Sequence, residues 1–552
     1  MAGDHPISEP ISAAPVRHVA ESLLLLAACV LIFRTFAAEG YLISTGSMAP
    51  CLLGYHRQVT CPTCAHQFAK GMSLAEAEGS SSIASTASAS VGDPHGISGT
   101  ACPNCGRTGL TVNSLPKNEG DQLLVNKHAF VLRDPHRWEV IVFRNPSDPL
   151  EAYVKRVVGL PGEAIEIRNG EVFAGGIPQR KSLTSQLGTR ILVDEHVHQP
   201  DPENEDWEPR WSEEKDESKW SEVADGFEFG GDAVAAPIDW LEFRHWVVSG
   251  GSHLTAVPLA QWPKSLVQPS SEFTSLEYDK EKQLFSIRGA LSSAERDRWL
   301  ARTEDEAFRK AINKLYRRSH FAPISDEYGY NQRYEGVTAY RVPDVMLEFD
   351  IDPCPSSGEV TARLAYGRAL ADCRFDLQAN VMTVTFNAST KVEATVPLPS
   401  ALQSKSHQIV VSVFDAQLVV GLDGEPLGEP IPLPVSSEEP PAPWVERLAR
   451  IGARGAPVTV RNLRMYRDVY YTPKNNAGAK QFILGGEEYF VLGDNSPVSV
   501  DSRCWESPGV PESSLIGKPF VVHLPSRPGR LEFGGKVTHV RVPDFSRVRY
   551  IR

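Results

Sequence analysis

The sequence predicts a mainly β protein built of several units and led by one apolar helix. A β-sandwich and a small four-cysteine ribbon are expected as insertions in a β-rich core. Three observations carry this expectation. Short alternating runs broken by turn residues fill 121–180 and return over 345–471 and 482–523. One apolar run, Val19–Phe36, would make a helix of roughly 27 Å at ~1.5 Å per residue. Two knuckles, Cys61-Pro-Thr-Cys64 and Cys102-Pro-Asn-Cys105, stand on either side of a Ser/Ala/Gly-rich stretch. At 552 residues the chain has room for about three to five domains of roughly 100–200 residues each.

The formal charge of −13 argues against a phosphate-reading surface, but it is unevenly placed. Between Asp194 and Asp232 there are 15 acidic residues against Arg210, Lys215 and Lys219, so this stretch alone carries −12. The remainder is nearly neutral, and the acidic stretch reads as a solvated segment of an insertion. No basic cluster accompanies the cysteine knuckles, which excludes a nucleic-acid-binding ribbon as the leading reading.

Taken in order, the apolar run Val19–Phe36 has three readings: a buried core helix, a cleaved leader, or an uncleaved single-pass anchor. Its length is close to what a bilayer core requires, and the apolar residues continue past Cys29 without a polar tether; the anchor is therefore expected. Arg17 and Arg34, at opposite ends, leave its orientation open. Gly79–Gly99 reads as a flexible linker. Strands are expected at Gln122–Asn126, Val140–Phe143, Tyr153–Val158, Ala164–Ile167 and Glu171–Phe173. A helix is expected near Ala294–Arg318. From Val345 to Tyr471, alternation at Leu347/Phe349/Ile351, Val360/Ala362/Leu364 and Ile409/Val411/Val413 suggests a β-sandwich of concanavalin-like rhythm, with a hairpin at Asp423-Gly424. The tryptophans Trp207, Trp211, Trp220, Trp240, Trp246 and Trp262 are irregularly spaced, which favours packing over a binding cluster.

Three motifs carry chemistry. Thr45-Gly46-Ser47-Met48-Ala49-Pro50 follows the apolar helix, and Tyr153-Val154-Lys155-Arg156-Val157-Val158-Gly159-Leu160-Pro161-Gly162 comes next. Near the end stands Leu492-Gly493-Asp494-Asn495-Ser496-Pro497-Val498-Ser499-Val500-Asp501-Ser502-Arg503. In this order the three motifs resemble the type I signal peptidases, which are Ser/Lys endopeptidases. The resemblance covers roughly residues 19–54, 121–180 and 482–524. It implies a signal-peptidase β-fold core that removes N-terminal signal peptides from exported preproteins, cutting after small residues. It also implies a cell-membrane location with the catalytic domain on the non-cytoplasmic side, membrane lipid as a neighbour and no cofactor for catalysis.

The chemistry is consistent with that resemblance. A hydroxyl nucleophile needs a base, and burial lowers the pKa of a lysine enough for it to serve as one. Lys155 lies in an otherwise apolar run. The resemblance makes Ser47 the nucleophile and Lys155 the general base, and it assigns the oxyanion to the Ser47 N–H and the Thr45 hydroxyl. Many relatives carry serine where this chain has Thr45. Ser499 would orient the lysine. Asp501 and Arg503, two residues apart, could project from one side of a strand as a supporting ion pair. Asp494 and Asn495 read as turn-formers.

Cys61, Cys64, Cys102 and Cys105 have the spacing of a closed four-thiolate zinc site, with two disulfides as the alternative. Such a zinc would be structural, with His56 and His66 as bystanders. The chain thus divides into a tail (1–16), an anchor (17–38), a nucleophile segment (39–56) and a ribbon (57–110). A lysine segment (111–180), an acidic, Trp-rich insertion (181–344) and a sandwich insertion (345–476) follow, ahead of the C-terminal core and basic tail (477–552). From His523 that tail holds seven basic and two acidic residues, suited either to anionic lipid or to a charged strand face. Two other functions fit the same residues: a dedicated processing peptidase of the same clan, and a catalytically silent tethered binding protein.

Overall fold

A computed structural model describes residues 14–36, 38–78, 100–146, 148–201, 207–215, 217–251, 253–268, 275–331, 339–352, 358–399, 405–435, 445–474, 480–533 and 536–552. The expected linker at 79–99 lies outside the described residues. The five strands expected between residues 121 and 180 form as Gln122–Asn126, Val140–Asn145, Asp148–Gly159, Ala164–Arg168 and Glu171–Ala174. They belong to two sheets. The larger runs Ala38–Leu42, Gln122–Asn126, Leu515–Val522, Val140–Asn145, Asp148–Gly159, Glu488–Leu492 and Val510–Pro511, with Arg549–Tyr550 added beside Leu515–Val522. The smaller places Phe482–Ile483 beside Ala164–Arg168. Segments from both ends of the chain therefore close one core. Leu123, Val125, Val142 and Val522 fill one face of the larger sheet, while Ile141, Phe143, Val157 and Val491 fill the other. This two-sided burial explains why Val140–Phe143 is a continuous apolar run rather than an alternating one.

The sandwich forms from a nine-stranded and a seven-stranded sheet. The runs at Val345–Ile351, Glu359–Tyr366, Val381–Phe386, His407–Ser412 and Gln417–Leu422 are all strands. Asp423 and Gly424 both take positive φ (52° and 85°), the geometry a two-residue hairpin of primed type requires. The sheets also recruit strands from ahead of residue 345. Asp239–Arg244 pairs with Arg447–Arg454, and Gly226–Phe229 pairs with Val458–Arg467. Phe229 and Phe243 from these strands, with Trp211 and Trp220 from Trp211–Glu213 and Trp220–Val223, enter the sandwich core, so these aromatics are packing groups.

The helical stretch near 294–318 is two helices, Ser293–Leu300 and Glu306–Ser319. Each begins on its own side-chain cap: Ser292 accepts from the Glu295 N–H, and Asp305 accepts from the Phe308 N–H. They pack on a three-stranded sheet through Phe285, Trp299, Phe308 and Trp262. The expected helical stretch is thus divided at Asp305, a capping residue inside the charged run.

The apolar run forms the helix Ala14–Phe36, but the single-pass membrane placement is overturned. Among the described residues no helix is long and apolar enough to cross a membrane. The first turns hold Arg17, His18 and Glu21, with Arg17 and Glu21 ion-paired at 2.7 Å, so the described apolar stretch begins only at Ser22. It falls short of the ~20 apolar residues a spanning helix needs. Leu23–Leu26 are exposed, which also removes the buried-core-helix reading.

The arginines of the C-terminal tail fold back on the core. Arg547 and Arg549 reach the Asp121 carboxylate at 2.8 and 3.3 Å, and Asp121 also accepts from the Leu53 N–H. At the junction of core and sandwich, Lys181 is buried between Asp415 and Asp468, 2.5 and 2.7 Å away.

Candidate active site

Ser47 stands in a turn that leaves the sheet after Ala38–Leu42. Met48, Ala49 and Leu52, on its C-terminal side, are fully buried, and the Leu52 N–H closes on the Met48 carbonyl at 2.8 Å. That anchor leaves the Ser47 side chain half-buried at the surface of the core. From the other side, the Asn495 N–H donates to the Ser47 carbonyl (3.0 Å) and Asn495 Nδ2 to the Gly46 carbonyl (2.9 Å). A Cβ at Gly46 would lie 2.2 Å from the Tyr330 ring, so this position accepts only glycine.

Lys155 lies in the strand Asp148–Gly159, opposite Ile141, and is 4% exposed. Its Nζ is 2.7 Å from Ser47 Oγ, although 108 residues separate the two. Burial brings its pKa down from the ordinary value near 10.5 to about 8, with Arg503 pushing the same way and Asp501 and Asp494 opposing. Consecutive strand residues point to opposite faces. Lys155 therefore turns toward Ser47, while Arg156 turns away and makes a two-pronged pair with Asp494: Nε to Oδ1 at 2.8 Å and NH2 to Oδ2 at 2.7 Å.

Asp501 and Arg503 meet as expected, through Nε to Oδ1 (2.8 Å) and NH2 to Oδ2 (2.6 Å). They do so from a turn, not from the strand that their spacing suggested. Burial raises the Asp501 carboxyl, but the Arg503 contacts outweigh it and hold the pKa below the ordinary range. Asp501 also accepts from the Gly493 N–H at 3.1 Å. Ser496 accepts from Arg503 NH1 at 2.7 Å. Ser499 is buried close to the same glycine: a Cβ on Gly493 would meet its Oγ at 2.3 Å and the Ser47 carbonyl at 2.4 Å. No hydrogen bond joins Ser499 to Lys155, and its Oγ has no partner among the described residues. Thr45, two residues before Ser47, is exposed.

Sequence reasoning missed two groups of residues here. The first is the Arg156–Asp494 pair, both side chains essentially unexposed. An arginine in an apolar run beside Lys155 was a signal for it, but its partner lies 338 residues away. The second is the segment Tyr328–Asn331. Tyr328 donates to the Asp494 carbonyl (2.7 Å), Tyr330 donates to the Tyr55 carbonyl (3.2 Å), and Asn331 exchanges paired amide hydrogen bonds with Asn495 (2.7 and 2.8 Å). Tyr328–Asn331 thus braces the turn that carries Ser47. Nothing in the local sequence of Tyr328–Asn331 marks this contact.

The four knuckle cysteines converge. Their sulfurs lie within 4.8 Å of one another, with Cys61 to Cys105 and Cys64 to Cys102 both at 3.7 Å, and all four are buried. A disulfide holds its sulfurs at ~2.05 Å, whereas thiolates ~2.3 Å from a tetrahedral zinc stand roughly 3.8 Å apart. The spacing and the soft donor set fit a zinc ion. The strands His56–Thr60, Gln67–Gly71 and Lys117–Asn118 form a small sheet that carries the first knuckle, and the bridge between Thr100 and Leu110 closes the loop of the second.

The chain is 40% identical over 62 residues to a probable signal peptidase I-2 of Synechocystis sp., covering 10% of this chain and 28% of that protein. It is 47% identical over 95 residues to a signal peptidase I of Pseudomonas fluorescens, covering 14% of this chain and 34% of that one. It therefore spans about a third of the length of the curated relatives it matches. Among solved structures, a carbohydrate-binding module of Bacillus subtilis aligns with 22% of this chain and 74% of its own, at 12% identity and a TM-score of 0.18. The family model described as signal peptidase, peptidase S26, matches residues 112–226 and 417–524, and so includes Lys155, Ser499, Asp501 and Arg503, while Ser47 lies ahead of the matched segments.

Proposed function

We propose that this chain is a serine endopeptidase of the signal-peptidase type that removes N-terminal signal peptides from exported preproteins by a Ser47–Lys155 dyad. The observation that carries this reading is the 2.7 Å approach of a buried, pKa-lowered Lys155 to Ser47 Oγ. In its neutral form Lys155 takes the Ser47 proton as Oγ bonds to the scissile carbonyl carbon. The Ser47 N–H and the Thr45 hydroxyl donate to the oxyanion. As the C–N bond breaks, the lysine ammonium returns its proton to the leaving amine, and an acyl-enzyme remains. Water, deprotonated by the same lysine, then hydrolyses the ester and restores Ser47.

Arg503 and Asp501 neutralise each other beside the lysine and hold the Gly493 turn in place. Ser499 stands near the dyad without bonding to it, and its proposed part is to receive a lysine hydrogen bond when the ammonium forms. Incubation with a labelled preprotein carrying a small residue before the cut should yield a product with the new N-terminus expected for signal-peptide removal. Ser47→Ala should yield none. Cleavage by the alanine variant at the wild-type rate would defeat the assignment.

Cys61, Cys64, Cys102 and Cys105 are proposed to hold a structural zinc ion. Four thiolates close its coordination, so it serves to fold the ribbon rather than to activate water. Cys105→Ser is expected to lose one zinc equivalent and to lower the melting temperature of the ribbon. Peptide mapping of the native protein that found these cysteines bonded to one another would rule out the zinc site.

A further inference from the structure

Beside the cysteine cluster, His66, Glu195 and His198 present one ligand atom each within 4.8 Å of one another. We infer that these three residues form a second site for a divalent first-row cation such as zinc, binding through two imidazole nitrogens and one carboxylate oxygen. His66 follows the first knuckle, and its carbonyl accepts from the Cys61 N–H at 2.9 Å. Glu195 ends the strand Ile191–Glu195, which pairs with Val458–Arg467 of the sandwich, and His198 lies in the turn just after it. The site therefore joins the ribbon to the sandwich.

The spacing separates a cation site from a simple hydrogen-bonded cluster. His66 Nδ1 is 3.7 Å and His198 Nε2 is 3.5 Å from Glu195 Oε2. Both are beyond a normal N–H···O bond of 2.7–3.2 Å. Donors ~2.0–2.2 Å from a shared tetrahedral ion would stand roughly 3.4 Å apart, so small shifts would complete the sphere. His66 is 6% exposed, and its Nδ1 has no hydrogen-bond partner. A buried imidazole nitrogen without a partner is costly unless something binds it.

The surrounding residues orient the ligands. Arg464 Nε donates to Glu195 Oε1 at 2.9 Å, leaving Oε2 to face the two histidines. Asn104, between Cys102 and Cys105, accepts from the Glu195 N–H (2.8 Å) and donates to the His198 carbonyl (2.6 Å). Hydrogen bonds of this kind to ligands and their backbone are what fix a metal site. Three ligands leave a fourth position, and the His198 side chain is 34% exposed, so water can reach it.

The test is zinc stoichiometry and cobalt absorption on the full chain, dialysed in turn against buffered zinc and cobalt ions. The wild type is expected to bind two ions, and His198→Ala and Glu195→Ala one each. Cys105→Ser should also bind one, but with cobalt it should show only weak ligand-field bands, without thiolate charge transfer. A wild type that binds a single ion of thiolate type overturns the second site, whether or not the variants fold. Loss of the thiolate ion alone would instead count against the four-cysteine site.

Discussion

Lys155→Met is expected to abolish preprotein cleavage, by at least the ~10⁴-fold that loss of a dyad member costs a serine hydrolase, while leaving a folded protein. The Lys155 pKa is about 8, below the ordinary lysine value, because the side chain is buried. At neutral pH the folded state therefore either holds an ammonium out of water or has given up its proton, and both cost stability relative to the unfolded chain. The sign follows: between about 8 and 10.5 the unfolded state binds more protons, so this lysine's penalty shrinks as pH rises through that window. Methionine removes the penalty, and the variant should be about 1–3 kcal/mol more stable at pH 7. Activity and stability thus move in opposite directions, which misfolding cannot mimic. In the wild type, kcat/KM should rise with pH and reach half its plateau near pH 8, where Lys155 loses its proton. A flat profile from pH 6 to 9, or a methionine variant that still cleaves, would remove Lys155 as the base.

Asp494→Ala is expected to cost about 3–5 kcal/mol, the price of leaving a buried charge without its partner. Arg156 is unexposed and donates twice to Asp494, and its other hydrogen-bond partners are the Trp138 and Gly188 carbonyls and the Cys51 sulfur, whose thiol burial keeps protonated, so none neutralises it. The loss should appear as a lower midpoint for thermal unfolding of the sheet that carries Lys155. Activity should fall as well, because the next residue, Asn495, holds the Ser47 turn through two hydrogen bonds. The double variant Arg156→Met/Asp494→Leu removes both charges and should recover much of the stability. A melting temperature within a degree of wild type for Asp494→Ala would show that the pair does not stabilise the core.

The strands around Lys155 were legible because their apolar residues report directly on two-sided burial, and every run expected between residues 121 and 180 is a strand. The hairpin at Asp423-Gly424 was legible because positive φ at two successive positions restricts residue choice. Where the sandwich begins was less so. Strands as early as Ile191–Glu195 join the sandwich, by pairing with Val458–Arg467, and Trp211–Glu213 pairs with Asp239–Arg244; such short, charged edge strands carry little alternation to read. The membrane expectation failed for a related reason. The length of Val19–Phe36 was counted as one span, although Glu21 and Arg34 lie inside it and Glu21 pairs with Arg17 on the first turns.

Local physics settled which residues could do chemistry: a serine in a glycine turn, a lysine among valines, and two cysteine knuckles whose thiolates need a shared ion or each other. Those features depend on residue type and spacing over a few positions, and the sequence alone determines them. Which groups meet was decided by tertiary structure. The 2.7 Å Ser47–Lys155 contact, the Arg156–Asp494 pair, the Tyr328–Asn331 brace and the His66–Glu195–His198 cluster all join segments about a hundred residues apart or more. No local pattern encodes such pairings. They follow from the closing of sheets whose strands come from both ends of the chain, and from the burial that makes each unpaired charge too costly to leave alone.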